Sequence, residues 1–229
     1  MTPQNRIWEL DAARGFCILG MVIIHVVYDL TELYPVLILN DPAFFLFWKD
    51  RGGIAFFLIS GICVTLGHRH LRRGAIVFGC GVLVSAATVL VGAMPIRFGV
   101  LQCLGLCMIG WDVFHRISAK ALCAFGIAFA AVGLLFSQIS VSTPYLYPLG
   151  LTAPGFESAD FFPLLPYFGY FLLGTACGRA LYPHRRSLFP HVKYSNPFLR
   201  FFCLCGRHSL LIYLIHQPVL LFAIAAALA

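Results

Sequence analysis

Charge is what this sequence has least of. Asp, Glu, Lys and Arg together make up 11 % of its 229 residues, where soluble domains carry roughly a quarter. A surface so poor in charge is not held in water, so lipid must cover it. Acidic residues are scarcer than basic ones, nine against sixteen, leaving a net charge of +7. In a soluble domain that surplus would point to nucleic acid. Here the basic residues sit in short clusters between apolar runs, as membrane proteins mark their cytoplasmic loops, and no nucleic-acid partner is expected. Several catalytic signatures are also missing. The chain has no HExxH, no GxSxG and no glycine-rich phosphate loop, which sets aside zinc hydrolases of that type, serine hydrolases and ATP-driven pumps. No CxxC pair occurs among the nine cysteines. Cys17, Cys63, Cys80, Cys103, Cys107, Cys123 and Cys177 lie inside apolar runs, where cysteine packs as a small hydrophobe. Cys203 and Cys205 fall in a basic stretch, and neither a disulfide framework nor a metal site is expected. A cleavable signal is not expected either. Glu9 and Asp11 accompany Arg6 and Arg14, and the apolar run that follows lacks a small-x-small site and is long enough to span a membrane.

What the sequence has is apolar length. Hydrophobic residues account for 60 % of the chain, and the mean hydropathy is +0.88. A helix needs about 20 residues to cross the hydrocarbon core. Runs approaching that length fall at 12–34, 52–68, 74–94, 98–115, 119–137, 163–183 and 207–228. They predict an all-α integral membrane protein, a polytopic bundle of about seven transmembrane helices forming a single domain over 1–229. With the N-terminus inside, the cytoplasmic segments hold Arg6, Arg14, Arg69, Arg72, Arg73, Arg116, Lys120, Arg179, Arg185, Arg186, Lys193, Arg200 and Arg207. The outer segments hold only Lys49, Arg51 and Arg97. That asymmetry fixes the expected direction, and an odd helix count leaves the C-terminus outside. Two connections are long: an outer one at 138–162 without Lys or Arg, and an inner one at 184–206 with Pro190, Pro197 and a dense basic set. No internal repeat stands out, which weighs against transporters built from paired repeats.

An ionisable side chain in lipid is costly and usually faces the bundle interior. The first helix carries Asp11, Arg14, His25 and Asp29. Asp11 and Arg14, three apart, share a helical face, where a structural ion pair competes with any functional role. His25 and Asp29, four apart, also share a face. A carboxylate one turn from an imidazole orients the ring and stabilises its protonated form; the competing reading is an interhelical hydrogen bond. The last run places His216-Gln217-Pro218 halfway along its length, and Pro218 frees a backbone carbonyl one turn earlier. The fourth run begins with Arg97 and Gln102. Polar groups at similar depth on three helices predict a polar cavity. The many intrahelical glycines, such as Gly61, Gly105 and Gly174, read as close helix packing through small residues.

Five blocks carry a family resemblance. They are Glu9-Leu10-Asp11-Ala12-Ala13-Arg14-Gly15 running on to Met21 and His25; Gly53 to Ser60-Gly61; Phe98-Gly99-Val100-Leu101-Gln102; Asp160 through Pro163 and Pro166 to Gly174; and Gly206-Arg207-His208-Ser209-Leu210 with Tyr213, His216, Gln217 and Pro218. In this order the chain resembles the catalytic domain of the heparan-α-glucosaminide N-acetyltransferase family, as a bacterial member. The ten residues between Arg14 and His25 also resemble the Arg-x10-His signature of bacterial membrane acyltransferases that modify surface glycans, where the histidine is read as the catalytic base. In the heparan-modifying enzymes the proposed catalytic histidine follows the first helix. Residues 31–51 here contain none, so that role does not transfer. Those enzymes also carry more helices.

The resemblance implies a multi-pass acyltransferase of the bacterial cytoplasmic membrane, with acetyl-CoA or another acyl-CoA as co-substrate. The acceptor would be a small molecule or glycan bearing a hydroxyl or amine. Arg14, Arg72, Arg73 and Arg207 are candidates for the cofactor's phosphates, since guanidinium forks suit phosphate; for Arg72 and Arg73 topology signalling alone competes. His25 would act as general base oriented by Asp29, or carry the acyl group itself. Gln102, His216, Gln217 and Arg97 are candidates to hold the acceptor or the developing oxyanion. Two other classes compete: a proton-coupled transporter or flippase using His25, Asp29 and His216 as a relay, and a non-catalytic membrane subunit whose polar residues only fix packing. The expected partners are membrane lipid and, for a bundle without a soluble domain, a second copy of the chain.

Overall fold

The computed structural model describes residues 7–37, 43–192 and 196–228, without the side chains of 44–46 and 48–50. Arg6, Lys193 and the side chain of Lys49, used above to orient the chain, lie outside the described residues. The described residues form eight α-helices and no strand, only two isolated bridges. Every expected apolar run is helical: α1 Trp8–Tyr28, α2 Ala43–Leu66, α3 His70–Leu90, α4 Val100–Phe114, α5 Ala119–Phe136, α6 Leu164–Leu181 and α8 Ser209–Leu228. The helix α7, Pro197–Arg207, lies in the stretch read from sequence as a connection.

Four of these segments are long and apolar enough to cross a membrane: Trp8–Leu33, His70–Leu90, Ala119–Phe136 and Ser209–Leu228. Arg51–Leu66 and Val100–Phe114 are apolar but shorter. At 1.5 Å per residue, the 15 residues of α4 rise about 22 Å, short of a hydrocarbon core of about 30 Å. The outward faces are apolar, with Leu90 86 % and Phe222 78 % exposed. Water would not tolerate such a surface, and lipid would. This is a membrane protein.

The chain folds as two compact units, Met1–Phe56 with His184–Ala229, and Phe57–Pro183. In the second unit α3 packs on α4, and α6 packs on α5 and on the end of α2. Contact there is backbone to backbone. A Cβ at Gly61 would overlap the Phe171 carbonyl, and one at Gly174 would overlap that of Leu58. The start of α4 shows how a loop completes a helix. Gly99 has no side chain to cap the helix it begins, so Asp160 Oδ2, from the long connection, accepts the Val100 N–H at 3.0 Å.

In the first unit α1 packs against α7 and α8. Gly15 and Gly206 make the approach possible, since a Cβ on either would overlap the Phe202 or Asp11 carbonyl. The segment before α7 is tied to the first turn of α1. Glu9 accepts from the Ser187 hydroxyl and the Leu188 N–H, each at 2.8 Å, and Trp8 Nε1 donates to the Phe189 carbonyl. Asn196 caps α7 by accepting the Phe198 N–H at 2.9 Å, and Pro197 sits where a missing N–H costs nothing. No disulfide joins the nine cysteines, and Cys103, Cys107, Cys203 and Cys205 are buried.

Candidate active site on the first and last helices

The expected polar groups of α1 and α8 meet in the first unit. α1 does not end at Tyr28 but widens into a π-helical turn, Asp29–Leu33, closed by the Tyr34 N–H bonding back to the Asp29 carbonyl at 2.8 Å. Such turns re-aim side chains and recur at functional sites. Asp29, at the head of the turn, is fully buried. On α8, Pro218 lacks the N–H that would bond the Leu214 carbonyl, and the two residues before it face α1.

The imidazoles of His25 and His216 lie edge to face, with centroids 4.7 Å apart and planes at 84°. Each ring is fixed by its own helix. His25 Nδ1 is 3.0 Å from the Met21 carbonyl, and His216 Nδ1 is 2.6 Å from that of Tyr213. A carbonyl only accepts, so in both rings Nδ1 carries the hydrogen and the neutral ring presents a bare lone pair at Nε2. The Tyr213 ring also lies 5.5 Å from that of His216. Asp29 is held across the helices, where Gln217 Nε2 donates to both carboxylate oxygens, at 2.9 and 3.0 Å. The i,i+4 spacing predicted Asp29 as the group that orients His25. Instead the Met21 carbonyl and the His216 ring set the His25 ring, and Gln217 sets the carboxylate. His216 is 9 % exposed. Its Nε2 and Gln217 Oε1 are buried without a hydrogen-bond partner among the described residues.

Toward the start of α1, arginines tie it to α8 and to α7. Arg14 Nη2 donates to Ser209 Oγ at 2.7 Å, and Arg207 Nε pairs with Asp11 Oδ2 at 3.2 Å. His25 follows Arg14 by eleven positions, about 16 Å along a helix. An extended ligand bound near the arginines could thus reach the imidazoles.

The remaining candidates belong to the second unit. Gln102 is buried with both ends of its amide engaged: Oε1 accepts the Gly99 N–H at 2.6 Å and Nε2 donates to Ser85 Oγ at 2.9 Å. That pairing caps α4 and joins it to α3. Arg97 Nε donates to the Glu157 carbonyl at 2.9 Å, its N–H donates to Ser158 Oγ, and its guanidinium lies over Phe156. Arg72 and Arg73 are exposed on the first turn of α3. Among the described residues no group of three or more His, Cys, Asp or Glu side chains is placed to hold a metal ion. Ser209 and Tyr213 were visible in the sequence only as motif letters. Their partners, Arg14 and His216, give them roles, and the three-residue spacing of Tyr213 and His216 was the available signal.

The model of the family described as heparan-alpha-glucosaminide N-acetyltransferase, catalytic, matches residues 6–218. The match runs from the start of α1 to Pro218 and so contains every residue of the cluster. No curated protein and no solved structure matches the chain. With nearly its whole length matched, the chain belongs to the heparan-α-glucosaminide N-acetyltransferase catalytic-domain family, a family of membrane acetyltransferases.

Proposed function

We propose that the protein is a membrane-embedded acyltransferase. It moves an acyl group, acetyl by its family, from cytoplasmic acyl-CoA to a hydroxyl or amine at the outer side of a bacterial cytoplasmic membrane. In this reading the chain crosses seven times, α2, α4 and α6 spanning with the four long apolar segments, N-terminus inside and C-terminus outside. The observation that carries the proposal is the pair of imidazoles with bare Nε2 atoms inside two long apolar helices. A base in lipid is expensive to keep, and here two share one spot beside a buried carboxylate.

The donor's phosphates would meet Arg14 and Arg207 at one end of α1, with Arg72 and Arg73 adding charge on the same side of the membrane. The thioester would extend toward His25. His25 Nε2 takes the proton of the acceptor's O–H or N–H while the freed lone pair attacks the thioester carbon. Collapse of the tetrahedral intermediate breaks the C–S bond, and the departing thiolate takes the proton back from the imidazolium. Asp29, one turn away, stabilises that imidazolium through its negative charge.

The test is acyl-CoA binding and acyl transfer by purified protein in detergent, wild type beside His25→Ala. General bases contribute about 10²–10⁴ in rate, so turnover should fall in that range while acyl-CoA binding stays within about threefold. Folded wild-type protein that binds no acyl-CoA, and instead moves protons with a solute, would replace the reading with transport.

A further inference from the structure

The helix α7 has two unlike faces. Cys203, Cys205 and Gly206 are buried, with Gly206 set against the Asp11 carbonyl of α1. Phe198, Phe201 and Leu204 recur at three-residue intervals and so share one side of the helix. All three are exposed. A helix covered by water would turn polar residues outward; here that side carries two phenylalanines and a leucine. At 11 residues α7 rises about 16 Å, too short to cross a bilayer.

The apolar patch does not stop at the edge of α7. The Phe202 ring lies 4.9 Å from that of Phe198, 5.8 Å from that of Phe201 and 6.2 Å from that of Phe16. Phe16 belongs to the long apolar segment Trp8–Leu33 and is 63 % exposed. Acyl chains that cover Phe16 therefore continue onto Phe198 and Phe201. The border of the patch is basic. From 184 to 207 the sequence has Arg185, Arg186, Lys193, Arg200 and Arg207 and no Asp or Glu. Two neighbouring carboxylates on α1 are already engaged, Glu9 by Ser187 and Leu188 and Asp11 by Arg207. Arg185, Arg186 and Arg200 are exposed. A second copy of so basic a face would be repelled, whereas a phosphodiester anion would be attracted.

We infer that α7 and the segment before it form an in-plane docking surface for anionic phospholipids. Phe198, Phe201 and Leu204 enter the acyl boundary, and Arg185, Arg186 and Arg200 reach the headgroup phosphates. Amphipathic helices with basic edges bind lipid in this way, and long arginine stems carry the charge out of the apolar layer. The surface uses none of the groups assigned to acyl transfer, so it stands or falls apart from that reading.

The test places the full chain in lipid nanodiscs of about one part phosphatidylglycerol to three parts phosphatidylcholine. The photoreactive analogue p-benzoylphenylalanine replaces Phe198, Phe201 or, as a reference on the apolar helix α8, the exposed Phe222. After illumination, mass spectrometry reads what each position has captured. Phe198 and Phe201 should capture phospholipid, with phosphatidylglycerol enriched at least about threefold over its share of the bilayer. Phe222 should capture the two lipids in bilayer proportion. Added salt should shrink the enrichment, a readout that needs no further mutation and that no folding defect mimics. Arg185→Gln, Arg186→Gln and Arg200→Gln combined should bring it below about 1.5-fold with lipid capture kept. Capture of a second copy of the chain at Phe198 and Phe201 would overturn the inference. So would no lipid capture there while Phe222 captures it, bilayer proportions at all three positions, or an enrichment unchanged by salt or in the folded triple variant.

Discussion

The two units of the chain differ in how they use the polar groups on their apolar helices. In the Phe57–Pro183 unit most such groups are consumed by structure, although His70 Nδ1 is buried without a partner among the described residues. Gln102 spends both ends of its amide on Gly99 and Ser85, Asp160 caps α4, and Arg179 donates to the His115 and Ile117 carbonyls while lying over Trp111. In the unit that contains α1 and α8, two buried acceptors are left open beside a pair of imidazoles and a fully buried carboxylate. Residue type does not separate the units, since each has a glutamine within an apolar helix, Gln102 in one and Gln217 in the other. What separates the two glutamines is whether the protein supplies a partner to both ends of the amide. A paired polar group holds helices together, and an unpaired one waits for something that is not protein.

Three perturbations sharpen that contrast. The largest effect should come from Gly206→Val. Its added carbons would overlap the Asp11 carbonyl and push α7 off α1, and overpacking costs about 1–3 kcal/mol or more. Thermal unfolding in detergent should shift sharply down, with activity lost in proportion to folded protein. Asp29→Ala comes next. It strands the Gln217 amide and opens a buried void, so it should lower stability by about 1–3 kcal/mol and cut acyl transfer more than folded fraction explains. An Asp29→Ala protein with full specific activity would remove the carboxylate from the mechanism. The smallest effect belongs to Arg72→Ala with Arg73→Ala. Both side chains are exposed, and exposed charges act weakly and are screened by salt. The expected change is a rise of about three- to tenfold in KM for acyl-CoA at low ionic strength, shrinking as salt is added, with kcat kept.

The sequence made the helices legible because a bilayer demands long apolar runs, and each such run is a helix. It also exposed His25, Asp29, His216 and Gln217, since polar residues inside such runs stand out. Three features stayed hidden for physical reasons. α7 is only 11 residues long, opens with a proline and carries Arg200 and Arg207, so it looked like a loop; the Asn196-Pro197 start was the overlooked signal. Helical spacing set Asp29 under His25, but the π-helical turn begins at Asp29 and its partner comes from 188 residues away. Gln102 seemed available because its partner Ser85 sits on another helix, 17 residues back. Local spacing does not show a tertiary hydrogen bond.

The claim that the cluster on α1 and α8 works and the paired Gln102 supports is tested most directly by one comparison. Acyl-transfer rates of His25→Gln and Gln102→Leu are measured side by side in the same detergent and normalised to folded protein. The account predicts that His25→Gln loses about 10²–10⁴ in rate at near wild-type stability. Gln102→Leu should stay within about threefold in rate while unfolding more easily, because the Gly99 N–H and the Ser85 hydroxyl lose their partner. A fully active His25→Gln protein, or a stable but inactive Gln102→Leu protein, would contradict it.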